Sequence, residues 1–201
     1  LSAAVKASGA VPDLLGIAPD HRDVLKQMLS RAADFDVLIT SAGVSAGERD
    51  LVREALAELG CREIFWKILL KPGFPTAFGL LGHVPVFCLP GNPVSAMVVF
   101  EQLVRPALLK MMGHRVLTRS VLKAVLKEPL RKKPGRLNLV RVRLCQEDRQ
   151  MVVYSAGSQQ SGILSTSLQA NAVAFLPADM DGATAGDVVE VQLLGECMVD
   201  R

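Results

Sequence analysis

The sequence predicts an α/β protein in two parts: a parallel-sheet, three-layer domain over residues 1–116 and a small all-β, barrel-like domain over residues 117–201. In the first part helical and strand patterns alternate, which is typical of a parallel sheet covered by helices. After Val116 the pattern changes to short strands separated by turns, with no convincing helix. Hydrophobic residues make up 50% of the 201 positions, enough to fill a core in each part.

Apolar residues at helical spacing, together with end signals, define the first elements. A helix is expected over residues 1–8, closed by Gly9. A parallel α/β unit usually begins with a strand, so we expect this chain to be a fragment that has lost one. The remaining elements up to Gly60 are a strand at residues 11–17, a helix at 20–33, a strand at 36–40 and a helix at 50–59.

Three further strands and a long helix complete the first part. The helix is expected over residues 93–112 and ends at Gly113. Pro106 within it removes one backbone hydrogen bond and should bend it. The strands are expected at residues 64–70, 76–80 and 84–88.

Period-two alternation marks the second part. Val140, Val142 and Leu144 share one face of a strand, while Arg141 and Arg143 lie on the other. This pattern favours a small barrel or sandwich. Further strands are expected at residues 151–154, 173–176 and 187–194, with turns at 147–150, at 181–182 and at Gly186.

Composition argues against several functional classes. The net charge is +3 without any block of like charge, and aromatic residues make up only 4%, so no nucleic-acid partner is expected. No apolar run reaches the length of a membrane span and no signal peptide is recognisable, which favours a cytoplasmic protein. The scattered cysteines and histidines, which predict reduced core thiols and no zinc site, are Cys61, Cys88, Cys145, Cys197, His21, His83 and His114.

The loop at residues 41–50 (SAGVSAGERD) follows a buried strand and opens a helix, which is where open α/β sheets bind ligands. Gly43 and Gly47 allow backbone N–H groups to approach an anion, and Ser41 and Ser45 add hydroxyl donors. Neither the P-loop pattern nor the dinucleotide-binding glycine pattern is present. A phosphate site and a plain strand-to-helix turn both fit this composition.

Three charged residues are candidate catalytic groups. Asp50 begins the helix, where a carboxylate either holds Mg²⁺ or orients a nucleophile beside a phosphate, or simply caps the helix. Lys67 and Lys71 are four residues apart along the expected strand, so their side chains should point to the same side. Two ammonium groups there would neutralise a phosphate or another oxyanion, whereas lysines that only discourage strand aggregation are the alternative.

The second loop, residues 89–95 (LPGNPVS), also joins a strand to a helix. Asn92 suits the N-cap and Pro93 the first helical position, so capping explains both residues without a ligand. The same geometry also directs free N–H groups outward. Two such loops at one sheet edge would enclose an elongated anionic ligand.

Basic residues and a polar loop stand out in the second part. Lys132, Lys133 and Arg136 surround a Pro-Gly turn, and Arg141 points away from the apolar face. Most charges in such short runs are simply solvated. The loop at residues 157–162 (GSQQSG) either caps a neighbouring site or is a plain connection.

The segments SAGVSAGERD, FWKILLKPG and LPGNPVSA occur in the order and spacing of the molybdopterin molybdenumtransferase family, which the chain resembles over nearly its whole length. KKPGR, NLVR and the spacing of Gly157, Gln159 and Ser161 also match that family's last domain. Molybdopterin adenylyltransferases share the α/β domain but lack the β domain, so they match less well. The resemblance implies insertion of molybdate into an adenylylated molybdopterin (molybdopterin-AMP), with Mg²⁺ as cofactor and AMP as product.

Roles for individual residues also come from the resemblance. Asp50 would be an acidic residue near the metal or molybdate, Lys67 and Lys71 would hold the oxyanion, and Arg141 and Ser161 would line the cleft from the second domain. The pterin and its phosphates would be bound by Ser41, Gly43, Val44, Ser45, Gly47, Pro90, Gly91, Asn92, Pro93 and Ser95.

Two departures from the family pattern qualify these expectations. Ala42 stands where the family loop usually has a second glycine, which is tolerable only if the backbone there does not need a positive φ. Family enzymes also have two earlier domains that are thought to build a homodimer, so we expect dimerisation through regions absent here and poor turnover by this chain alone. The expected pathway partner is molybdopterin adenylyltransferase. The alternatives are a scaffold that binds molybdopterin or a nucleotide phosphate without turnover, and the adenylyltransferase activity itself.

Overall fold

The computed structural model describes residues 1–43, 51–160, 162 and 165–195. The chain forms two compact units. The first comprises Leu1–Ile68 and Gly73–Arg115, and the second comprises Leu69–Pro72 and Val116–Arg201. A four-residue segment from the middle of the first unit therefore belongs to the second, which the sequence patterns did not indicate.

The helices of the first unit follow the predicted pattern closely. They are α1 (Ser2–Ala7), α2 (Arg22–Ser30, continued by a 3₁₀ turn at Arg31–Asp34), α3 (Leu51–Glu58), α4 (Pro93–Val99) and α5 (Arg105–Met111). The helix predicted over residues 93–112 is interrupted before Pro106, because a π-helical turn at Phe100–Val104 separates α4 from α5. Proline has no N–H group for the helical ladder, and a π turn is one way for a helix to absorb such a break.

The sheet of the first unit is mixed rather than wholly parallel. Its strands are β1 (Leu38–Ser41), β2 (Arg62–Trp66), β4 (Ala77–Leu81) and β5 (Val84–Leu89), in the order β1-β5-β4-β2. β1 and β5 are parallel, whereas β4 is antiparallel to both β5 and β2. A two-residue hairpin between Leu81 and Val84 causes the reversal, and Gly82 within it has a φ of 60°.

The predicted strand at residues 11–17 is wrong, since these residues form an irregular segment. Val11 and Ile17 are 96% and 97% exposed, while Leu15 and Ala18 pack against the core. A strand needs a neighbour for its backbone hydrogen bonds. Within the described residues, β1 is an end strand of the sheet and pairs with β5 alone.

The predicted strand at residues 64–70 is also wrong as a single element. β2 ends at Trp66 because Lys67 has a left-handed backbone, with a φ of 67°. The chain resumes extended structure only in β3 (Leu70–Lys71), which pairs with a strand of the second unit. Lys67 and Lys71 therefore lie in different units, so the expected common side of one strand does not exist.

Helices and sheet share a core in the first unit. Val86 and Cys88 of β5 pack in one cluster with α2 and α3. Phe87 and Leu89 point to the opposite face by strand alternation and are buried as well. Both faces of this strand are therefore covered, as a three-layer arrangement requires.

Five strands of the second unit close into a barrel. The unit contains β6 (Val121–Leu126), β7 (Leu130–Arg131), β8 (Leu137–Glu147), β9 (Gln150–Ser155), α6 (Ser165–Gln169), β10 (Ala172–Leu176), β11 (Gly182–Ala183) and β12 (Val188–Leu193). Around the ring the pairing order is β10-β12-β6-β9-β8, and β8 pairs again with β10. The predicted barrel is confirmed, while the expectation of no helix after Val116 is wrong because α6 is present.

The barrel interior follows the predicted alternation. Val140, Val142 and Leu144 all belong to the second unit's core cluster. The predicted turn before β9 is confirmed, with φ values of 47° and 66° at Asp148 and Arg149. None of the helices in the described ranges is long and apolar enough to cross a membrane.

Three cysteines are free thiols, of which Cys88 and Cys145 are buried and Cys61 is partly exposed. Cys197 lies outside the described residues.

Candidate functional site

Strand directions bring three predicted site segments to one edge of the first unit's sheet. β1 is parallel to β5, and β2, antiparallel to β4, runs the same way as β5. Ser41, Pro90 and Lys67, which end or follow these strands, therefore lie at the carboxyl edge. This is the edge at which α/β sheets bind ligands. The prediction that the two loops leave the same edge is confirmed.

The two loops touch where they leave the sheet. The Ala42 N–H donates to the carbonyl oxygen of Leu89 at 3.1 Å. A Cβ atom at Gly91 would lie 2.9 Å from the Cβ of Ala42, which is too close for a side chain. Gly91 is therefore required for the approach of the second loop to the first. An anionic group bound here would meet backbone from both loops.

The first loop has a backbone that its sequence does not favour. Ala42 has a φ of 75° and Gly43 a φ of 77°. The condition placed on Ala42, that its backbone should not need positive φ, is thus not met. At Gly43 an added Cβ would lie 2.1 Å from a methyl group of Val52, so only glycine fits. The predicted site residues Val44, Ser45, Gly47 and Asp50 lie outside the described residues.

The second loop is organised by helix capping. The Asn92 side-chain oxygen accepts from the Ser95 N–H at 3.2 Å and lies 3.4 Å from the Ser95 hydroxyl. Pro93 occupies the first helical turn, as predicted. Capping thus accounts for Asn92, Pro93 and Ser95 structurally, and it fixes the start of α4 beside the edge.

Lys67 is held by aromatic contacts. Its ammonium nitrogen lies 3.9 Å from the ring centre of Trp66 and 5.8 Å from that of Phe74. The Arg53 guanidinium also lies over Trp66, at 3.8 Å, and its Nε atom is 2.8 Å from Glu63. Such cation–π contacts restrain a lysine without neutralising it. Lys67 therefore presents a positive charge at the carboxyl edge.

Two polar residues missed by the sequence reasoning flank this edge. Thr40 pairs in register with Cys88, Cys88 with Ala77, and Ala77 with Trp66, so they form one row across the sheet. At its two ends, Thr40 Oγ1 and Trp66 Nε1 are buried and have no hydrogen-bond partner among the described residues. Native proteins leave few such atoms unpaired. A threonine at a strand end before a glycine loop was the available signal for Thr40.

A cavity of about 470 Å³ lies between α3 and the sheet. Its lining includes Trp66, Cys61, Glu63 and Cys88. Burial, reinforced by the negative charge of Glu63, raises the pKa of the Cys61 thiol. This thiol is therefore a weak nucleophile near neutral pH.

In the second unit Arg141 is buried rather than solvated, contrary to the charge-run expectation. Only 2% of it is exposed. Its Nε donates to the Thr166 hydroxyl at 3.0 Å, and its Nη2 donates to the carbonyl oxygens of Ser158 and Gln160 at 2.9 and 3.3 Å. Burial lowers the pKa of the guanidinium, which still remains protonated near neutral pH.

Gln159 completes the attachment of this loop. Its side-chain oxygen accepts from the Arg141 N–H at 2.9 Å, and its Nε2 donates to the Arg141 carbonyl at 3.0 Å. Arg141 and Gln159 thus fix the loop that leads to Ser161. Ser161 itself lies outside the described residues.

The described ranges offer few possibilities for binding a metal ion through protein side chains alone. No group of three or more His, Cys, Asp or Glu side chains there could hold a metal ion. Asp50, the predicted metal ligand, is not among those residues.

Comparisons with known proteins agree with both units. Residues 1–110 match the family model described as "Probable molybdopterin binding domain", and residues 123–194 match "MoeA C-terminal region (domain IV)". A molybdopterin molybdenumtransferase of Haemophilus influenzae is 36% identical over 181 residues, covering 89% of this chain and 45% of the relative. Molybdopterin molybdenumtransferase 2 of Mycobacterium tuberculosis is 34% identical over 201 residues, covering 95% and 48%.

Solved structures show the same likeness. A molybdopterin biosynthesis moea protein from Pyrococcus horikosii is 27% identical with a TM-score of 0.78, covering 98% of this chain and 47% of that chain. A molybdenum cofactor biosynthesis protein from Pyrococcus furiosus is 27% identical with a TM-score of 0.73, covering 96% and 62%. This chain spans less than half the length of the curated relatives it matches. With one family model over more than half of its residues and named relatives along most of its length, the chain belongs to the molybdopterin molybdenumtransferase family.

Proposed function

We propose that this chain acts in molybdenum-cofactor synthesis as part of a transferase that inserts molybdate into adenylylated molybdopterin and releases AMP. The observation that carries the proposal is the pair of touching loops at the carboxyl edge, Ala42 against Gly91, in a chain of this family. Backbone N–H groups and a helix start at such an edge suit the phosphate groups of an elongated ligand.

In this proposal the two loops bind the substrate's pterin and phosphates. Ser41 and Gly43 act from the first loop together with Val44, Ser45 and Gly47, and residues 90–95 act from the second. The contact of Gly91 with Ala42 supports a shared ligand, since both loops then face one anion. In this proposal residues 1–116 form the molybdopterin-binding domain and residues 117–201 form the small β-barrel domain.

Lys67 and Lys71 supply positive charge for molybdate or for the anion that leaves. A restrained ammonium favours an oxyanion because the attraction is gained without ordering a free side chain first. The aromatic contacts of Lys67 support this for one of the two lysines. Arg141 and Ser161 act from the second unit, and the bonds from Arg141 to the neighbouring loop support a role in positioning Ser161.

The proposal includes Mg²⁺ near the substrate phosphates, and Asp50 is the residue that would hold it. This ion prefers oxygen ligands and commonly uses only one or two protein carboxylates, so a three-residue protein cluster is not needed. When bound, it would neutralise charge on the phosphate groups that separate as AMP leaves. The wider proposal is a cytoplasmic homodimer that receives its substrate from molybdopterin adenylyltransferase.

Isothermal titration calorimetry with molybdopterin-AMP, in the presence and absence of molybdate, tests the proposal. We expect saturable binding, and replacement of Lys71 by Gln should weaken it at least tenfold because a charge-assisted contact is lost. Lys6→Gln, at an exposed position on α1, is the matched control and should bind as the unmodified chain does.

Failure of the folded chain to bind molybdopterin-AMP would contradict the proposal. Since we expect poor turnover by this chain alone, the scaffold alternative would be favoured by binding without AMP release in a protein that also includes the family's two earlier domains. The match of residues 123–194 to the C-terminal region model makes adenylyltransferase activity the weaker alternative.

A further inference from the structure

We propose that Asn138 is a positioning residue of the oxyanion site: its side-chain oxygen accepts a hydrogen bond from the Lys71 ammonium and orients that group toward the bound anion. The inference rests on the proposed function, because it takes Lys71 to be a cation that holds molybdate. The proposal adds Asn138, at the start of β8, to that site. Asn138 and Lys71 both belong to the second unit.

The strand register makes Asn138 and Lys71 neighbours. β3 pairs in parallel with the start of β8, with Lys71 opposite Asn138. Register partners on adjacent strands project their side chains to the same side of the sheet. Lys71 is exposed, while Asn138 is 7% exposed. The exposed ammonium group and the buried amide therefore belong to one side of the β3–β8 pair.

Asn138 continues the inward row of the barrel. Strand alternation puts it on the face shared by Val140 and Val142, which lie in the barrel core. On the other side of β8, its register partner is Leu176, which is fully buried. A polar residue at the end of an apolar row was readable in the sequence, where positions 138, 140, 142 and 144 alternate with outward residues.

The amide oxygen of Asn138 has no donor within the described ranges. Oδ1 is one of three buried side-chain atoms without a hydrogen-bond partner in the described part of the chain. Buried acceptors are normally paired, so an unpaired one points to a donor that arrives in another state of the site. Leu176 has no donor to offer, whereas Lys71 has three N–H donors on a flexible stem.

A neutral amide suits this task better than a carboxylate. One ammonium N–H on Asn138 leaves two for the anion, and the amide orients the group without cancelling its charge. Holding the lysine in advance also reduces the side-chain entropy lost when the anion binds. The expected result is tighter binding of molybdate through Lys71.

A double-mutant cycle tests the inference, with molybdate as the calorimetric ligand and Tm measured for each variant. Asn138→Leu keeps the side-chain size but removes the acceptor. We expect about tenfold weaker molybdate binding with an unchanged or higher Tm, since replacing an unpaired buried acceptor removes a cost to folding. In a Lys71→Gln background, the same change should alter affinity by less than about twofold, because Asn138 acts through Lys71.

Several outcomes would overturn the inference. These are unweakened molybdate binding by Asn138→Leu, an undiminished effect in the Lys71→Gln background, or a clear fall in Tm that Asn138→Ala shares, which would mean that the amide already stabilises the fold. Asn138→Ala serves the same cycle if leucine prevents folding. Absence of molybdate binding by the unmodified chain would overturn the proposed use of Lys71 together with this inference, whereas normal binding with an inert Asn138 would overturn the inference alone.

Discussion

At the scale of residues, Ala42 and Gly43 share a left-handed backbone but differ in its cost. An L-residue with a side chain loses about 1–2 kcal/mol in this region, while glycine does not. Ala42 has a φ of 75° and touches the second loop through its Cβ, 2.9 Å from a Cβ placed at Gly91. The strain therefore lies within the proposed binding edge, which is where proteins tend to keep it.

Substitutions at these adjacent positions should act in opposite directions. Ala42→Gly should raise the free energy of unfolding by about 1 kcal/mol, since the backbone strain is relieved. Gly43→Ala should lower it by about 2 kcal/mol or more, because its Cβ would lie 2.1 Å from a Val52 methyl. Urea unfolding of both variants measures the two signs. A loss of stability in Ala42→Gly would contradict the strain argument.

The burial of Arg141 could not be predicted from the pattern of its own strand. Alternation correctly directs its side chain away from Val140 and Val142, and an outward arginine is usually solvated. In the structure Thr166 of α6 and the carbonyl oxygens of Ser158 and Gln160 surround the guanidinium. Those partners are 17 to 25 residues away in the chain. Periodicity within one strand contains no information about them.

At the scale of elements, the turn between β11 and β12 depends on a carboxylate. Asp187 accepts from the Thr184 N–H at 2.7 Å and from its hydroxyl at 3.0 Å. Both hydrogen bonds lower the pKa of Asp187 below its ordinary value, and the bond from the Thr184 N–H has the larger effect. Its ionised form is thus favoured in the folded state. The resulting stability is present above the unfolded-state pKa, about 4, and is lost as pH falls through the folded-state value.

Asp187→Asn should remove this acid-side dependence. We expect the unmodified chain to be more stable than the variant near neutral pH, with the difference shrinking as pH falls below about 4. Thermal unfolding of both proteins from pH 7 down to pH 2.5 measures that difference. A gap that stays constant or widens toward low pH would show that Asp187 does not act through its charge.

Element prediction succeeded where the local pattern was enough and failed where a partner decided the outcome. The helices of the first unit and the alternation of β8 depend on spacing and end signals, and both were predicted. The segment at residues 11–17 is apolar, but β1 pairs with β5 alone in the described residues. The strand predicted at residues 64–70 is divided at Lys67, which has a left-handed backbone. This conformation is uncommon for lysine, and the residue type gives no signal that predicts it.

The candidate site could also be predicted only in part. Glycine and serine content, together with strand-to-helix position, predicted two loops at one edge, and their contact through Gly91 agrees. The orphaned Thr40 and Trp66 atoms lie at opposite ends of a row that exists only once β1, β5, β4 and β2 are ordered. Strand order across hairpins is a tertiary property, so a single chain pattern could not reveal that row.

At the scale of the whole molecule, the two units are joined by more than one passage of the chain. The chain leaves the first unit after Ile68, contributes β3 to the second, and returns at Gly73 before the final crossing at Arg115. β3 pairs with β8 through Leu70 opposite Leu137 and Lys71 opposite Asn138. The Leu137 N–H also donates to the Leu69 carbonyl at 2.9 Å. A segment surrounded in sequence by the first unit therefore stabilises the second.

Two adjacent leucines allow this arrangement to be tested. Leu70 is 8% exposed and Leu69 is 67% exposed. Leu70→Ala should cost about 2–4 kcal/mol through the lost packing of a buried side chain, while Leu69→Ala should cost less than about 0.5 kcal/mol. Hydrogen–deuterium exchange by mass spectrometry locates the effect: Leu70→Ala should speed exchange along β8, and the Leu69→Ala control should leave it unchanged. Faster exchange confined to β1 and β5 of the first unit would mean that Leu70 stabilises that sheet instead, because exchange reports the cooperative unit to which a residue contributes.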